Sequence, residues 1–99
     1  MSSYVLSIDA DLDLDEIWEY IARDSINAAD RWIAELFDTC ELLGKTPGIG
    51  HRREDLTRRD VRFWPIYSYL VVYQRSSRPL LVIAVLHGNR DVKRLLQDR

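Results

Sequence analysis

The chain has 99 residues, of which 46% are hydrophobic and 30% charged, a balance typical of a soluble globular protein that folds as one domain over residues 1–99. No apolar run approaches the roughly 20 residues of a membrane-spanning helix, and no basic region followed by an apolar one marks the N-terminus for export. Cys40 is the single cysteine, so no internal disulfide forms, and we expect a cytoplasmic protein without membrane contact.

The charges are divided unevenly along the chain. Residues 1–45 carry eleven Asp and Glu against three Lys and Arg, a net of −8, whereas residues 46–99 carry five against eleven, a net of +6, which gives the overall −2. A cationic back half predicts a surface that meets nucleic acid or an acidic protein. The alternative is that the two halves neutralise each other within the fold.

The first predicted element is a short strand at residues 4–8, which are apolar and β-prone. Alternating Asp residues follow from Asp9. They suggest a calcium-binding loop, but such a loop needs a glycine at its sixth position and a glutamate at its twelfth, and neither is present in register. We therefore expect no metal site. We interpret the carboxylates of residues 9–16 as a helix N-terminus, where they cap free N–H groups and oppose the helix dipole.

Two amphipathic helices come next and predict an antiparallel hairpin. The apolar stripe of the first consists of Leu14, Ile17, Trp18 and Ile21. The second, capped by Ser25 or Asn27 and ended by Gly44 followed by Pro47, has the stripe Ala29, Trp32, Ile33, Leu36, Cys40 and Leu43. We interpret Trp18 and Trp32 as core residues and Cys40 as a packing residue rather than a nucleophile.

Residues 46–60 are predicted to form a loop. Four arginines and His51 fall within nine of its residues, which is typical either of a phosphate-contacting patch or, given the acidic residues among them, of a solvated connector.

Three strands complete the predicted sheet. The first, at residues 61–64, is interrupted by Pro65, which indicates a sheet edge or a bulge. The second spans residues 66–74, with Tyr67, Tyr69, Val71 and Tyr73 on one face. The third, at residues 80–86, is a run of seven apolar residues that suits a strand buried on both faces.

A turn at Gly88 follows the last strand, and Asn89 is the predicted N-cap of a short helix over residues 91–96. The resulting fold class is α+β: an N-terminal strand, an α-helical hairpin packed on an antiparallel β-meander, and a short C-terminal helix. The pattern leaves open whether the first strand pairs with the edge or the centre of the meander.

Particular segments occur in a fixed order along the chain: Ala10-Asp11-Leu12 leading into Ile17-Trp18-Glu19-Tyr20-Ile21, Ala28-Ala29-Asp30-Arg31-Trp32-Ile33, Pro47-Gly48-Ile49-Gly50 with Arg53-Glu54-Asp55-Leu56, Val61-Arg62, Tyr67, Tyr69 to Tyr73, and His87-Gly88-Asn89-Arg90-Asp91. This ordered set resembles the RelE/ParE superfamily of bacterial toxins from type II toxin–antitoxin systems. The closing His-Gly-x-Arg-Asp is more similar to the ParE branch than to the RelE branch.

The resemblance implies a small toxin without a cofactor, held inactive by a cognate antitoxin that lays a helix or strand over exposed apolar surface. It also implies one of two activities. ParE-like members trap DNA gyrase on cleaved DNA by binding, without a reaction of their own. RelE-like members enter the ribosome and cut mRNA.

Cleavage of RNA needs an acid or base and cations for the phosphorane charge. His87 would be the acid or base, because its ordinary pKa suits proton transfer near neutrality. Arg62 and Arg90 would hold the scissile phosphate, and Tyr67 would stack on a base. Structural roles are open for the same side chains: ion pairs with neighbouring Asp residues for the arginines, core packing for Tyr67, and a hydrogen bond within its own turn for His87.

Two features of the sequence count against cleavage. A pI of about 5.6 is low for a protein that binds ribosomal RNA, and residues 92–99 contain neither the Tyr nor the His that RelE-like nucleases keep there. The sequence therefore favours a gyrase inhibitor without enzymatic activity over an endoribonuclease. The predicted target-contact residues are Arg62, His87, Asn89, Arg90, Lys93 and Arg94. A third hypothesis is a non-toxic, antitoxin-binding partner in a repressor complex.

Overall fold

The computed structural model describes residues 3–99 and contains a four-stranded sheet with two long helices against one face. The elements in chain order are β1 (Tyr4–Leu6), α1 (Ile8–Ala22), α2 (Ile26–Lys45), a 3₁₀ helix (Pro47–Ile49), β2 (Arg62–Ile66), β3 (Tyr69–Gln74), β4 (Leu80–His87) and α3 (Val92–Gln97). The strand order is β1-β4-β3-β2. The predicted α+β fold, with its helical hairpin and antiparallel meander, is confirmed.

β1 lies beside β4 and runs parallel to it, from Tyr4 opposite Leu80 to Leu6 opposite Val82. This position answers the question that the sequence left open: the first strand joins the meander at the β4 edge. β4 thereby becomes an interior strand, and five consecutive residues from Val82 to Leu86 are buried. The prediction that residues 80–86 form a strand buried on both faces is confirmed.

Serine side chains begin both long helices. Ser7 Oγ accepts a hydrogen bond from the Ala10 N–H at 3.0 Å, and Ser25 Oγ accepts one from the Ala28 N–H at 3.1 Å. Ser25, rather than Asn27, therefore caps α2. The predicted first strand is two residues too long, because Ser7 is already the cap of α1 and Ile8 its first residue.

The helical hairpin buries the predicted stripes against one face of the sheet. This core contains side chains from both long helices and from β2, β3 and β4: Ala10, Leu14, Ile17, Trp32, Leu36, Cys40, Leu43, Ile66, Val71, Tyr73, Leu80, Val82 and Val85. Tyr4 and Leu6 of β1 are partly buried against it. Trp32 is 6% exposed, as expected for a core residue. Trp18 is only partly buried and lies outside this core, so its interpretation as a core residue is wrong. Its Nε1–H donates to Asp30 Oδ1 at 3.0 Å across the hairpin.

The opposite face of the sheet is covered by α3 and by the segment before β2. Their apolar contacts form a second core of Val61, Phe63, Val72, Ile83, Ala84, Leu86, Val92 and Leu96, with Leu56 packed against it. Asp91, not Asn89, caps α3, since Asp91 Oδ1 accepts a hydrogen bond from the Arg94 N–H at 3.2 Å. The cap is therefore two residues later than predicted.

The boundary between β2 and β3 differs from the sequence prediction. β2 continues through Pro65 to Ile66, and the chain then turns at Tyr67 and Ser68, so that Ile66 faces Tyr69 across the hairpin. The predicted strand over residues 66–74 is thus wrong at its start. Pro65 lies in an edge strand, as predicted, since the missing N–H of proline is tolerated at an edge.

Gly44 does not end α2, which continues to Lys45. It lies one residue before the end, where a Cβ atom would come 2.6 Å from the Ser3 backbone oxygen. Gly44 is therefore required for the close approach of the N-terminal segment to α2. Among residues 3–99, none of the helices combines the length and apolar character that crossing a bilayer requires.

Candidate functional site

A groove of about 570 Å³ lies at the C-terminal end of β4, between that strand and α1. Glu16 and Tyr20 of α1 line one side, and Tyr69, His87 and Arg90 line the other. Polar groups that end a rigid central strand are held in fixed positions, which is what binding or catalysis requires. The groove therefore includes His87 and Arg90, two of the residues that the sequence predicted to be functional.

Aromatic rings connect the core to this groove. The Trp32 and Tyr69 rings meet edge to face with centroids 5.2 Å apart, and Tyr69 meets His87 in the same way at 5.1 Å. Burial raises the pKa of Tyr69 above the ordinary value of a tyrosine. The His87 ring is therefore positioned by packing against a rigid neighbour.

The turn after β4 determines which nitrogen of the neutral His87 ring carries the proton. Its Nδ1 accepts a hydrogen bond from the Asn89 N–H at 3.0 Å, so the neutral ring carries its proton on Nε2. The Gly88 N–H donates to the Ser68 carbonyl at 2.8 Å, which ties this turn to the β2–β3 turn. This bond within its own turn is the structural role that the sequence offered as an alternative for His87.

Exposed basic side chains follow His87 along the chain. Asn89 and Arg90 lie in the exposed turn, and Lys93 and Arg94 lie exposed on α3. In the part of the chain that the structure describes, none of these three cations forms an ion pair with a carboxylate. Five of the six predicted contact residues follow one another from the end of β4 into α3, and we name these five the β4-end surface: His87, Asn89, Arg90, Lys93 and Arg94. His87 and Arg90 line the groove, whereas Lys93 lies toward the 54–59 loop.

Arg62 does not belong to the β4-end surface. In the sheet Arg62 lies opposite Tyr73, whereas His87 lies opposite Tyr69. Four residues of strand separate these two positions, a distance of roughly 13 Å along the sheet. The prediction that Arg62 shares one surface with His87 is wrong, because the turn at residues 67–68 reverses the chain and leaves Arg62 at the opposite end.

Tyr67 is in the β2–β3 turn and is 73% exposed, so the alternative of core packing is wrong for this residue. Its φ of 54° lies in the left-handed region, which a tyrosine rarely occupies. The Glu35 carboxylate of α2 raises the pKa of Tyr67. Since Ser68 contacts Gly88, Tyr67 lies at the same end of the sheet as His87.

Most of the arginines in the 52–59 loop are engaged locally. Arg52 pairs with Glu54 and Asp60, and Arg53 pairs with Asp55 at 2.8 Å. Arg59 Nη1 donates to the Leu96 carbonyl at the end of α3. These contacts favour the solvated connector over the phosphate-contacting patch.

Sequence reasoning missed a buried carboxylate beneath the groove. Asp13 lies six positions after the cap of α1, is 8% exposed, and accepts hydrogen bonds from the Val85 N–H and from Arg99. Its interpretation as a carboxylate of the helix N-terminus is therefore wrong. The signal was present in the sequence, because Asp13 falls on the helix face that Ala10, Leu14 and Ile17 bury.

Within residues 3–99, no three His, Cys, Asp or Glu side chains come together as a metal ion would require.

Two comparisons relate the chain to known proteins. The family model described as "ParE toxin of type II toxin-antitoxin system, parDE" matches residues 4–92. Toxin ParE1 of Caulobacter vibrioides is 34% identical to the chain over 94 residues, which cover 94% of this chain and 96% of that protein.

Proposed function

Since the chain belongs to the ParE family of toxins from type II toxin–antitoxin systems, we propose that it stops growth by binding DNA gyrase and that a cognate antitoxin keeps it inactive. The observation that supports binding is the β4-end surface, which combines a positioned imidazole with three cations that form no ion pair within residues 3–99. Such groups recognise a partner through charge complementarity and directed hydrogen bonds, and no proton transfer is needed.

The β4-end surface is rigid enough to serve as a contact surface. Val92 and Leu96 anchor α3 in the second core, with 3% and 1% exposure. Asp91 caps the same helix, which fixes the direction in which it leaves the turn. Because α3 is held at both ends, the backbone positions of Lys93 and Arg94 are fixed relative to the core. Binding a partner therefore costs little backbone conformational entropy in this helix.

The alternative, cleavage of mRNA, has less support in the arrangement of side chains. The nuclease hypothesis needs His87, Arg62 and Arg90 around one phosphate, with Tyr67 stacked on a neighbouring base. Arg62 lies roughly 13 Å along the sheet from the His87 position. The Nδ1 atom of His87 is engaged by its own turn.

The helical hairpin offers apolar surface for an antitoxin. Ile8 and Leu12 are one turn apart on α1 and are 83% and 54% exposed, and Phe37 and Leu42 of α2 are 40% and 46% exposed. Exposed apolar side chains of this size favour a site for a partner, and a helix or strand of the antitoxin would cover them. We propose the hairpin as the antitoxin side of the molecule and the β4 end as the target side.

The proposal is tested by adding the purified chain to gyrase with supercoiled plasmid and ATP and, separately, to a translation reaction with purified ribosomes. We expect linear plasmid after denaturation of the gyrase complex and intact mRNA. Prior incubation with the antitoxin encoded beside the toxin should abolish the linear product. Truncated mRNA would instead support the nuclease, and no effect in either reaction would support the non-toxic partner.

A further inference from the structure

The end of the sheet opposite His87 carries a second group of arginines. Arg62 begins β2, and Arg75 follows the end of β3, so both flank Tyr73. Arg78 lies in the same β3–β4 turn, where its guanidinium donates to the carbonyls of Arg75 and Ser77 at 2.8 and 2.9 Å. Arg62, Arg75 and Arg78 therefore lie at the same end of the sheet.

Arg62 and Arg75 have no carboxylate partner in the described part of the chain. Arg52, Arg53 and Arg99 each pair with a carboxylate, whereas within residues 3–99 neither Arg62 nor Arg75 does. Arg62 is partly buried, and its Nε–H is a buried donor without a hydrogen-bond partner among the described residues. An unsatisfied buried donor costs about 1–3 kcal/mol, and among the described residues no hydrogen bond or ion pair engages the Nη groups of the same guanidinium, which are left to bind an acceptor.

The loop over residues 47–50 is fixed above this corner by Tyr73. The Tyr73 hydroxyl donates to the Pro47 carbonyl at 2.8 Å and accepts from the Gly50 N–H at 2.9 Å. A Cβ atom on Gly48 would come 3.4 Å from Arg75 Nη2, so the loop backbone lies directly against that guanidinium. Arg62 lies opposite Tyr73 in the sheet and Arg75 follows Tyr73 by two residues, so both arginines flank the residue that holds the loop. Burial raises the pKa of Tyr73, and the hydrogen bond with Gly50 and the charges of Arg62 and Arg75 oppose that rise.

A flat ring system lies next to the arginines. The His51 ring stacks on Trp64, with centroids 6.2 Å apart and an angle of 4° between the planes. Trp64 follows Arg62 by two residues in β2, so their side chains share one face of the strand. His51 is exposed, so a base from solvent can approach its ring.

We propose that Arg62 and Arg75 bind a phosphodiester of a nucleic acid backbone, with His51 beside them as a stacking surface for a base. Guanidinium forks match phosphate oxygens, and planar side chains accept bases of any sequence. A phosphodiester fits this site better than the carboxylate of an acidic peptide, because a peptide also needs large apolar side chains to anchor against. The exposed residues of the neighbouring turn are mostly polar: Arg75, Ser76, Arg78 and Pro79.

The test measures fluorescence anisotropy of a labelled duplex DNA, with the purified chain added at several salt concentrations and no gyrase present. We expect the wild type to bind at low salt. Arg75→Ala should weaken binding about three- to tenfold and lower the slope of log affinity against log salt by about 1. Arg62→Lys, which keeps the charge and loses the fork, should weaken binding less than Arg75→Ala.

Arg58→Ala is the matched control, because Arg58 is exposed in the same basic half of the chain. If Arg58→Ala weakens DNA binding as much as Arg75→Ala does, binding depends on overall positive charge, and the proposed site is wrong. Failure of the wild type to bind would overturn it as well, as would a polyglutamate peptide that competes with DNA at equal concentration. Circular dichroism checks that each variant is folded. If Arg62→Lys is unfolded, the comparison of Arg75→Ala with the wild type is sufficient for the test. Because the assay contains no gyrase, its outcome is independent of the gyrase proposal.

Discussion

Asp13 and Arg99, 86 positions apart in the chain, form a two-pronged ion pair in which Arg99 Nη2 lies 2.8 Å from Asp13 Oδ1 and Nη1 contacts Oδ2. Asp13 Oδ2 also accepts the Val85 N–H at 2.9 Å. β1 covers β4 only as far as Val82. The pair therefore closes the side of β4 that β1 leaves open and links α1, β4 and the segment after α3.

Replacing Asp13 with Asn should lower the free energy of unfolding by about 3 kcal/mol, since it leaves the largely buried Arg99 guanidinium without a countercharge. Urea denaturation at neutral pH measures the change. The matched control is Asp55→Asn, because Asp55 pairs with Arg53 on the exposed surface; its unfolding midpoint should stay within error of the wild type. Equal midpoints for Asp13→Asn and the wild type would contradict the structural role of this pair.

The loop over residues 47–50 predicts a large loss of stability for one glycine substitution and a small loss for the other. A Cβ on Gly50 would overlap the buried Tyr73 hydroxyl and break its hydrogen bond from the Gly50 N–H, whereas a Cβ on Gly48 meets only the mobile end of Arg75. We expect Gly50→Ala to cost about 1–3 kcal/mol of unfolding free energy and Gly48→Ala to cost less than about 0.5. Thermal unfolding of the two variants side by side decides the matter; similar losses would mean that the Tyr73 contact does not fix the loop.

Cys40 predicts how stability depends on alkaline pH. Burial, with a smaller effect of the Glu41 charge, raises the pKa of the Cys40 thiol from 9.0 to about 12. Because the unfolded chain loses this proton first, the stabilisation is complete below pH 9 and is lost as the pH rises toward 12. The slope from this one group is at most about 1.4 kcal/mol per pH unit.

Urea unfolding between pH 8 and pH 11 tests this dependence. The Cys40→Ala variant should lose less stability over that range than the wild type, although its stability at pH 8 is lower because a buried sulfur is missing. Parallel curves for the two proteins would show that Cys40 does not contribute to the pH dependence.

Toxicity should depend on Arg90 more than on Arg52. Arg90 is exposed on the β4-end surface without an ion pair among the described residues, whereas Arg52 is engaged by Glu54 and Asp60. We expect Arg90→Ala to require about tenfold more protein for the same growth inhibition, which corresponds to about 1.4 kcal/mol of binding. Growth curves at matched expression measure the effect. Equal growth defects for both variants would remove the reason to assign target contact to the β4 end.

His87→Ala should leave the fold intact while reducing toxicity. The ring makes one edge contact with Tyr69 and one hydrogen bond within its turn, so its removal should cost about 1–2 kcal/mol. Thermal unfolding and growth inhibition are measured on the same variant. An unfolded variant would make His87 a structural residue and remove it from the proposed contact surface.

The sequence by itself determined the kinds of elements, because they depend on neighbouring residues. The apolar run at residues 80–86 predicted an interior strand, and the stripes that include Leu14 and Leu36 predicted the two helices that cover it. The ordered motifs were also sufficient for the family. Boundaries were less accurate where one side chain decides them, as at Ser7 and Asp91.

The tertiary structure decided which distant residues meet. No local rule places a tyrosine at a left-handed φ, so the turn at Tyr67 was missed, and with it the reversal that takes Arg62 to the far end of the sheet. The ion pair of Asp13 with Arg99 likewise depends on where α1 and the chain after α3 cross β4. Periodicity specifies which side of an element is buried, but the neighbour that it meets follows from how all the elements pack together.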